Sequence, residues 1–179
     1  MVAYDAFVSY SHAQDKTLAA ALQSAVQRIG KPWYRRRALR LFRDDTSLSA
    51  TPELWGSIEE ALNRSRFLIL LASPEARTSP WVDKEVAHWL ERNGIATVLI
   101  ALTAGDLSWD GAAGDFRWYE TTPLPPALKG RFTAEPWWID LRSYRDGINR
   151  RDARFADCPA SAPMRQKGRV EEGRISGPS

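Results

Sequence analysis

The feature that most constrains this chain is the unbroken apolar run Phe67-Leu68-Ile69-Leu70-Leu71-Ala72. Successive side chains of a strand point to opposite faces, so a strand wet on one side alternates apolar and polar residues. A run without polar residues fits a strand covered on both faces, as central strands of parallel sheets are. Parallel neighbours must be joined by crossovers, usually helices. The flanking sequence should therefore alternate short strands with amphipathic helices.

It does. Tyr4 to Tyr10 is a short β-prone run that ends in the polar Ser11-His12-Ala13-Gln14-Asp15. Leu18, Ala21, Leu22, Ala25, Val26 and Ile29 then recur at helical spacing, with Asp15 as a start signal and Gly30 as a stop. Leu39 to Phe42 reads as a second strand, and Leu54, Trp55, Ile58, Ala61 and Leu62 as a second helix. After the central run, Ser73 to Thr78 reads as a loop, and Ser79-Pro80 as a helix start with Ser at the cap and Pro in the first turn. That helix is expected to reach about Arg92, with Gly94 just beyond. Ala96 to Leu102 and Trp137 to Leu141 read as further strands. Residues 103–136 are too long for a structureless loop, so short helical or strand pieces are expected in them. The pattern predicts an α/β fold: a doubly wound, flavodoxin-like parallel sheet of five strands with helices on both faces.

Composition excludes several classes. The single cysteine, Cys158, rules out an internal disulfide and a CxxC metal site, and the two histidines, His12 and His88, form no metal-ligand pattern. No glycine-rich GxGxxG or GxxxxGK[ST] loop is present, so neither a Rossmann dinucleotide site nor a P-loop is supported. No apolar run approaches the ~20 residues that span a bilayer, and residues 1–10 read as a strand rather than a signal peptide. The expectation is a cytoplasmic protein with no membrane segment, no metal and no bound cofactor. A net charge of +3 is weak ground for a nucleic-acid partner, and the basic Arg35-Arg36-Arg37 reads as a solvated connection. From Cys158 onward Pro, Ser, Gly, Arg and Glu dominate, so 158–179 is expected to be a disordered tail and 1–157 the domain, with its core at 4–142.

Open α/β sheets bind ligands beyond the carboxyl ends of their strands. The polar residues there are Ser9, Ser11 and Asp15 after the first strand, Arg43, Asp44, Asp45 and Ser47 after the second, and Ser73 and Glu75 after the third. Trp81, Glu85 and Trp89 are four apart and share one helical face. A carboxylate beside such a platform can hold a ribose or stabilise developing positive charge. The bland alternative is two tryptophans packed on the sheet with Glu85 at a solvated edge. Asp44-Asp45 can be a salt-bridge or cap pair, or a divalent-cation site; the positions of the other acidic residues do not match a phospho-receiver domain.

Three segments in order resemble the TIR (Toll/interleukin-1 receptor) domain family, bacterial type. Tyr4-Asp5-Ala6-Phe7-Val8-Ser9-Tyr10-Ser11 resembles its first box, with Asp15 as the acidic residue that follows. Arg43-Asp44 resembles the second box, though Thr46 to Pro52 replaces the usual Pro-Gly. Ser79-Pro80-Trp81-Val82-Asp83-Lys84-Glu85 is similar to the Ser-x-Trp segment that ends in glutamate. The resemblance spans residues 4 to about 142 and implies a final helix cut short at Phe155.

It implies cleavage of NAD into nicotinamide and ADP-ribose or a cyclic ADP-ribose isomer, in signalling or defence, activated by self-assembly. NAD is then a substrate, not a cofactor. The resemblance makes Glu85 the catalytic residue and Ser9, Ser11, Arg43, Asp44 and Trp81 substrate contacts. The alternative it implies is a non-catalytic module for homotypic TIR–TIR interaction. A deoxyribosyltransferase-like nucleotide-binding domain is a third reading, which accounts less well for Ser79-Pro80-Trp81.

Overall fold

A computed structural model describes residues 3–29, 40–43 and 52–147. Gly30, Arg35 to Arg37, Leu39, Asp44, Asp45 and the stretch from 148 on, with its expected tail and shortened final helix, lie outside the described residues.

Five strands, β1 (Tyr4–Ser9), β2 (Leu41–Arg43), β3 (Ser65–Ala72), β4 (Val98–Leu102) and β7 (Trp138–Asp140), form one sheet in the order β2-β1-β3-β4-β7. Every pairing in it is parallel. The apolar run that opened the sequence reading is the centre of this sheet, with β1 on one side and β4 on the other. Strand order reverses at β1 and β3, which makes their carboxyl ends the switch point where such sheets take ligands.

Helices lie on both faces of the sheet, as predicted, although Phe67, Leu99 and Ile139 stay exposed on the α1 side. On one face Phe7, Leu68, Leu70, Ile100 and Leu102 pack against Ile58, Ala61 and Leu62 of α2 (Pro52–Asn63) and Val82, Val86 and Trp89 of α4 (Pro80–Asn93). On the other, Ala6, Val8, Leu41, Leu71 and Ala101 meet Ala19, Leu22 and Val26 of α1 (Lys16–Ile29) and Tyr144 of α5 (Arg142–Gly147). Burial of these side chains stabilises each face by about 1.5–3 kcal/mol per large residue.

Two elements depart from the sequence reading. Ser73 to Thr78 is not wholly a loop: α3 (Pro74–Thr78) forms a single turn and a half, with the Ser73 hydroxyl accepting from the Ala76 amide at 3.1 Å. A five-residue helix is too short to show periodicity, although Ser73-Pro74 carries the same start signal as Ser79-Pro80. Helix α5 was also not expected; Leu141 and Tyr144, its apolar contacts, are three apart and sit just after the last strand. The Ser79 start and Gly94 stop of α4 hold: Ser79 Oγ accepts from the Val82 amide, and Gly94 adopts φ +73° at the C-cap.

Residues 103–136 do contain hidden structure. The antiparallel pair β5 (Trp109–Asp110) and β6 (Asp115–Phe116) and a 3₁₀ turn at Pro126–Leu128 lie within them. Trp109, Phe116, Phe132 and Trp138 form an edge-to-face aromatic cluster, with centroids 5.1–6.3 Å apart, that roofs the α4 side of the core.

Candidate functional site

Ser9 is the last residue of β1, and strand alternation turns it to the same face as Phe7, towards α4. Glu85 lies in the middle of α4, on the side that also buries Val82, Val86 and Trp89. The two meet: Ser9 Oγ donates to Glu85 Oε2 at 2.5 Å. Ser9 is 1% and Glu85 6% exposed, so the carboxylate is not a solvated edge. A charge this buried requires hydrogen-bond partners, and the strand-end hydroxyl is one. The bland alternative therefore fails for Glu85.

It holds for Trp89. That ring is fully buried in the core, and its indole N–H donates to Thr97 Oγ1 at 3.0 Å. Trp81, one turn before Glu85, is half-buried. Its ring lies 6.1 Å from that of Trp55 on α2, and Lys84 Nζ sits 3.8 Å over Trp55 and 5.6 Å from the Trp81 centroid. The aromatic platform beside Glu85 is thus a Trp81–Trp55 pair, not Trp81–Trp89. Trp55 escaped notice as a site residue because it belongs to a different helix.

Arg43 is placed elsewhere. It pairs in register with Val8, so it shares the α1 face, opposite Ser9. Its Nε donates to Gln23 Oε1 and its Nη1 to the Lys16 carbonyl, both at 3.3 Å. Ser11 is buried just past β1, and its carbonyl accepts from the Asp15 amide at 3.0 Å. Asp44 lies outside the described residues.

A second buried carboxylate stands at the same sheet edge. Asp15 has no exposed surface; Ser73 Oγ donates to its Oδ2 at 2.7 Å and Thr103 Oγ1 to its Oδ1 at 3.1 Å. Arg145 of α5 brings Nε to 3.9 Å from Asp15 and Nη2 to 3.3 Å from Glu75. Burial pushes the Asp15 carboxyl above its ordinary pKa, and the Ser73 hydroxyl, the Arg145 charge and the Thr103 hydroxyl only partly oppose this. Burial also raises Glu75, but its own backbone amide and Arg145 outweigh that and hold it below its ordinary value. Asp15 stands where a cap was expected, its carbonyl accepting the first helical bond from the Ala19 amide at 2.8 Å, but its carboxylate turns to Ser73 and Thr103 instead of capping. Thr103 and Arg145 were not singled out from sequence, although Thr103 directly follows an apolar strand and fits the rule that picked out Ser73.

Among the described residues, no helix is long and apolar enough to cross a membrane. A family model described as TIR domain matches residues 6–151. The NAD(+) hydrolase ApTIR of Actinoplanes sp. is 46% identical over 171 residues, which cover 94% of this chain and 24% of that protein. The chain thus spans about a quarter of the length of this curated relative. Among solved structures, the TIR domains of the activated Roq1 resistosome recognising the pathogen effector XopQ match 58% of this chain and 60% of theirs, at 22% identity and TM-score 0.44. The TIR domain of the Toll-related receptor TRR-2 of Hydra magnipapillata matches 83% of this chain and 94% of its own, at 17% identity and TM-score 0.48.

Proposed function

The chain belongs to the TIR domain family, and from that premise we propose that it cleaves NAD into nicotinamide and ADP-ribose or a cyclic ADP-ribose isomer. The observation that carries the reading is the buried Ser9–Glu85 contact at the switch point of the sheet. The activity named for the Actinoplanes relative supports it.

In the proposed reaction the bond between the nicotinamide nitrogen and the anomeric carbon of the ribose breaks. Its electron pair stays on the nitrogen, so the pyridinium leaves as neutral nicotinamide. Positive charge develops on the anomeric carbon and ring oxygen. Glu85 faces that charge and holds the ribose hydroxyls, while Ser9 fixes the carboxylate. A fixed carboxylate in a water-poor setting stabilises such charge without reorganising. Water then adds to the anomeric carbon and releases a proton; for the cyclic product, a nucleophilic atom of the substrate itself adds instead. Trp81, one helical turn from Glu85 and with the Trp55 ring tilted 39° to it, offers an aromatic face for stacking. Ser11, Arg43 and Asp44 remain the proposed contacts to ribose and phosphate. Arg43 suits the pyrophosphate by charge and by its place at the carboxyl end of β2, once it leaves Gln23 and the Lys16 carbonyl and turns from the α1 face to the strand-end edge.

Homotypic assembly belongs to the same reading, and so does a role in signalling or defence. Phe67, Leu99 and Ile139 are exposed on the α1 face of β3, β4 and β7, with Trp137 exposed just before β7. Exposed apolar side chains on neighbouring strands suit a protein contact, and a second copy of the chain is the proposed occupant.

The test is direct. Concentrated or artificially clustered protein is incubated with NAD, and nicotinamide release is followed beside Glu85→Ala. Release by the native chain and none by the variant is the expected result. No release from folded, assembled native chain sinks the reading and leaves the non-catalytic interaction module.

A further inference from the structure

We infer that Asp15 is a positioning residue for the Ser9–Glu85 site, and that Arg145 of α5 is the countercharge that lets it act as one. The inference rests on the reading of NAD cleavage for its functional half only.

Residues 10–14 form the turn between Ser9 and Asp15, and a buried carboxylate contact holds each end of it. At one end Ser9 is bonded to Glu85 on α4. At the other, Asp15 gathers the hydroxyls of Ser73 and Thr103, which stand just past β3 and β4. Thr103 is itself tied back, its amide donating to the Ala72 carbonyl at 2.9 Å. Asp15 therefore clamps the carboxyl ends of three neighbouring strands at one point. Ser11 within the turn is held too, since its carbonyl accepts from the Asp15 amide. The position of Ser9, and through it of the Glu85 carboxylate, depends on this clamp.

The clamp carries a charge with no exposed surface. Ser73 donates to that carboxylate and Thr103 shares its one hydroxyl proton between it and the Ala72 carbonyl, each at 3.1 Å, but neither brings an opposite charge. Among the described residues, the cation that faces it is Arg145, which Glu75 orients from α3. Arg145 belongs to the last described helix, from which the chain runs on to residue 179. A shift of α5 would thus withdraw the countercharge and be felt at Ser9. Removing one partner of a buried ion pair is far more disruptive than replacing both by neutral groups. That asymmetry gives the test.

Three variants are compared: Arg145→Met, Asp15→Asn and the double substitution. Each is checked for folding by circular dichroism, then assayed for kcat and KM with NAD and for amide hydrogen exchange of residues 9–15. Arg145→Met strands the Asp15 charge. It is expected to speed exchange in residues 9–15 and to lower kcat on the order of 10- to 100-fold, with KM changed less than about twofold, since the site is misplaced rather than removed. Adding Asp15→Asn removes the stranded charge and is expected to recover much of both losses. Unchanged exchange in Arg145→Met overturns the inference, as does faster exchange with unchanged kcat, or a double variant no better than Arg145→Met. A native chain that releases no nicotinamide sinks the reading of NAD cleavage instead. The exchange rates and their recovery then still decide whether Asp15 and Arg145 hold the turn.

Discussion

The Ser9 hydroxyl donates to the Glu85 carboxylate at 2.5 Å, joining residues 76 positions apart. One contact thereby fixes the end of β1 to the middle of α4, at the edge where the strand order reverses. It takes Glu85 out of bulk water and gives its carboxylate one defined orientation, which electrostatic stabilisation of a cationic transition state requires.

Ser9→Ala leaves Glu85 buried but removes this donor. Nicotinamide release is expected to fall on the order of 10- to 100-fold, and stability by about 1–3 kcal/mol. Glu85→Gln keeps an acceptor for Ser9 and should stay folded while losing release altogether. Rate assays and urea titrations of both variants check this; a Ser9→Ala enzyme with native kcat removes Ser9 from the site.

Trp81 and Trp89 should separate in their effects. Trp89→Ala empties a fully buried site and is expected to cost about 3–5 kcal/mol. Trp81→Ala removes a half-buried ring and should cost less than about 2 kcal/mol, while lowering NAD turnover. Equal destabilisation by the two in denaturant titrations contradicts the placement of Trp81 beside Trp55 at the surface.

Asp15 makes stability depend on pH in an unusual direction. Its carboxyl is raised above the ordinary value of 3.8, so the folded state holds that proton more tightly than the unfolded one. Its contribution is full below the unfolded pKa and is lost as pH rises through the raised folded pKa. Relative to Asp15→Asn, the native chain should therefore lose stability as pH climbs from 3.8 through the raised value. Paired melting curves over that range read the difference, and a gap that widens in favour of the native chain refutes the assignment.

Gly105 is a position where a side chain cannot enter cheaply. Its φ is +79°, and a Cβ there would meet the Thr121 carbonyl oxygen at 3.0 Å and Pro123 Cβ at 3.3 Å. Gly105→Ala is expected to cost about 1–3 kcal/mol. It should also loosen Arg142, whose Nη1 donates to the Gly105 carbonyl. A denaturation midpoint unchanged by the substitution would count against this loop geometry.

Assembly through the exposed sheet face predicts that Leu99→Asp and Ile139→Asp shift the chain towards monomer in sedimentation velocity. Nicotinamide release should then become more dependent on protein concentration. If both variants associate as the native chain does, the contact lies on another surface.

The sequence by itself determined the architecture, because the signals for it are local. The apolar run at Phe67 to Ala72 pointed to a central strand, buried on both faces from Leu70 to Ala72 though exposed at Phe67, and Ser79-Pro80 and Gly94 bracketed α4 to within a residue or so. The site was legible only as a set of candidates. Strand alternation separates Ser9 from Arg43 by the full thickness of the sheet, yet the two look equivalent as polar residues after strands. Trp81 and Trp89 share a spacing, yet one joins Trp55 and the other fills the core. Asp15 read as a cap, and only folding brings Ser73, Thr103 and Arg145 around it. Secondary structure follows from periodicity over a few residues, whereas a buried carboxylate takes its partners from whatever strands and helices the tertiary packing brings within three ångströms or so of it.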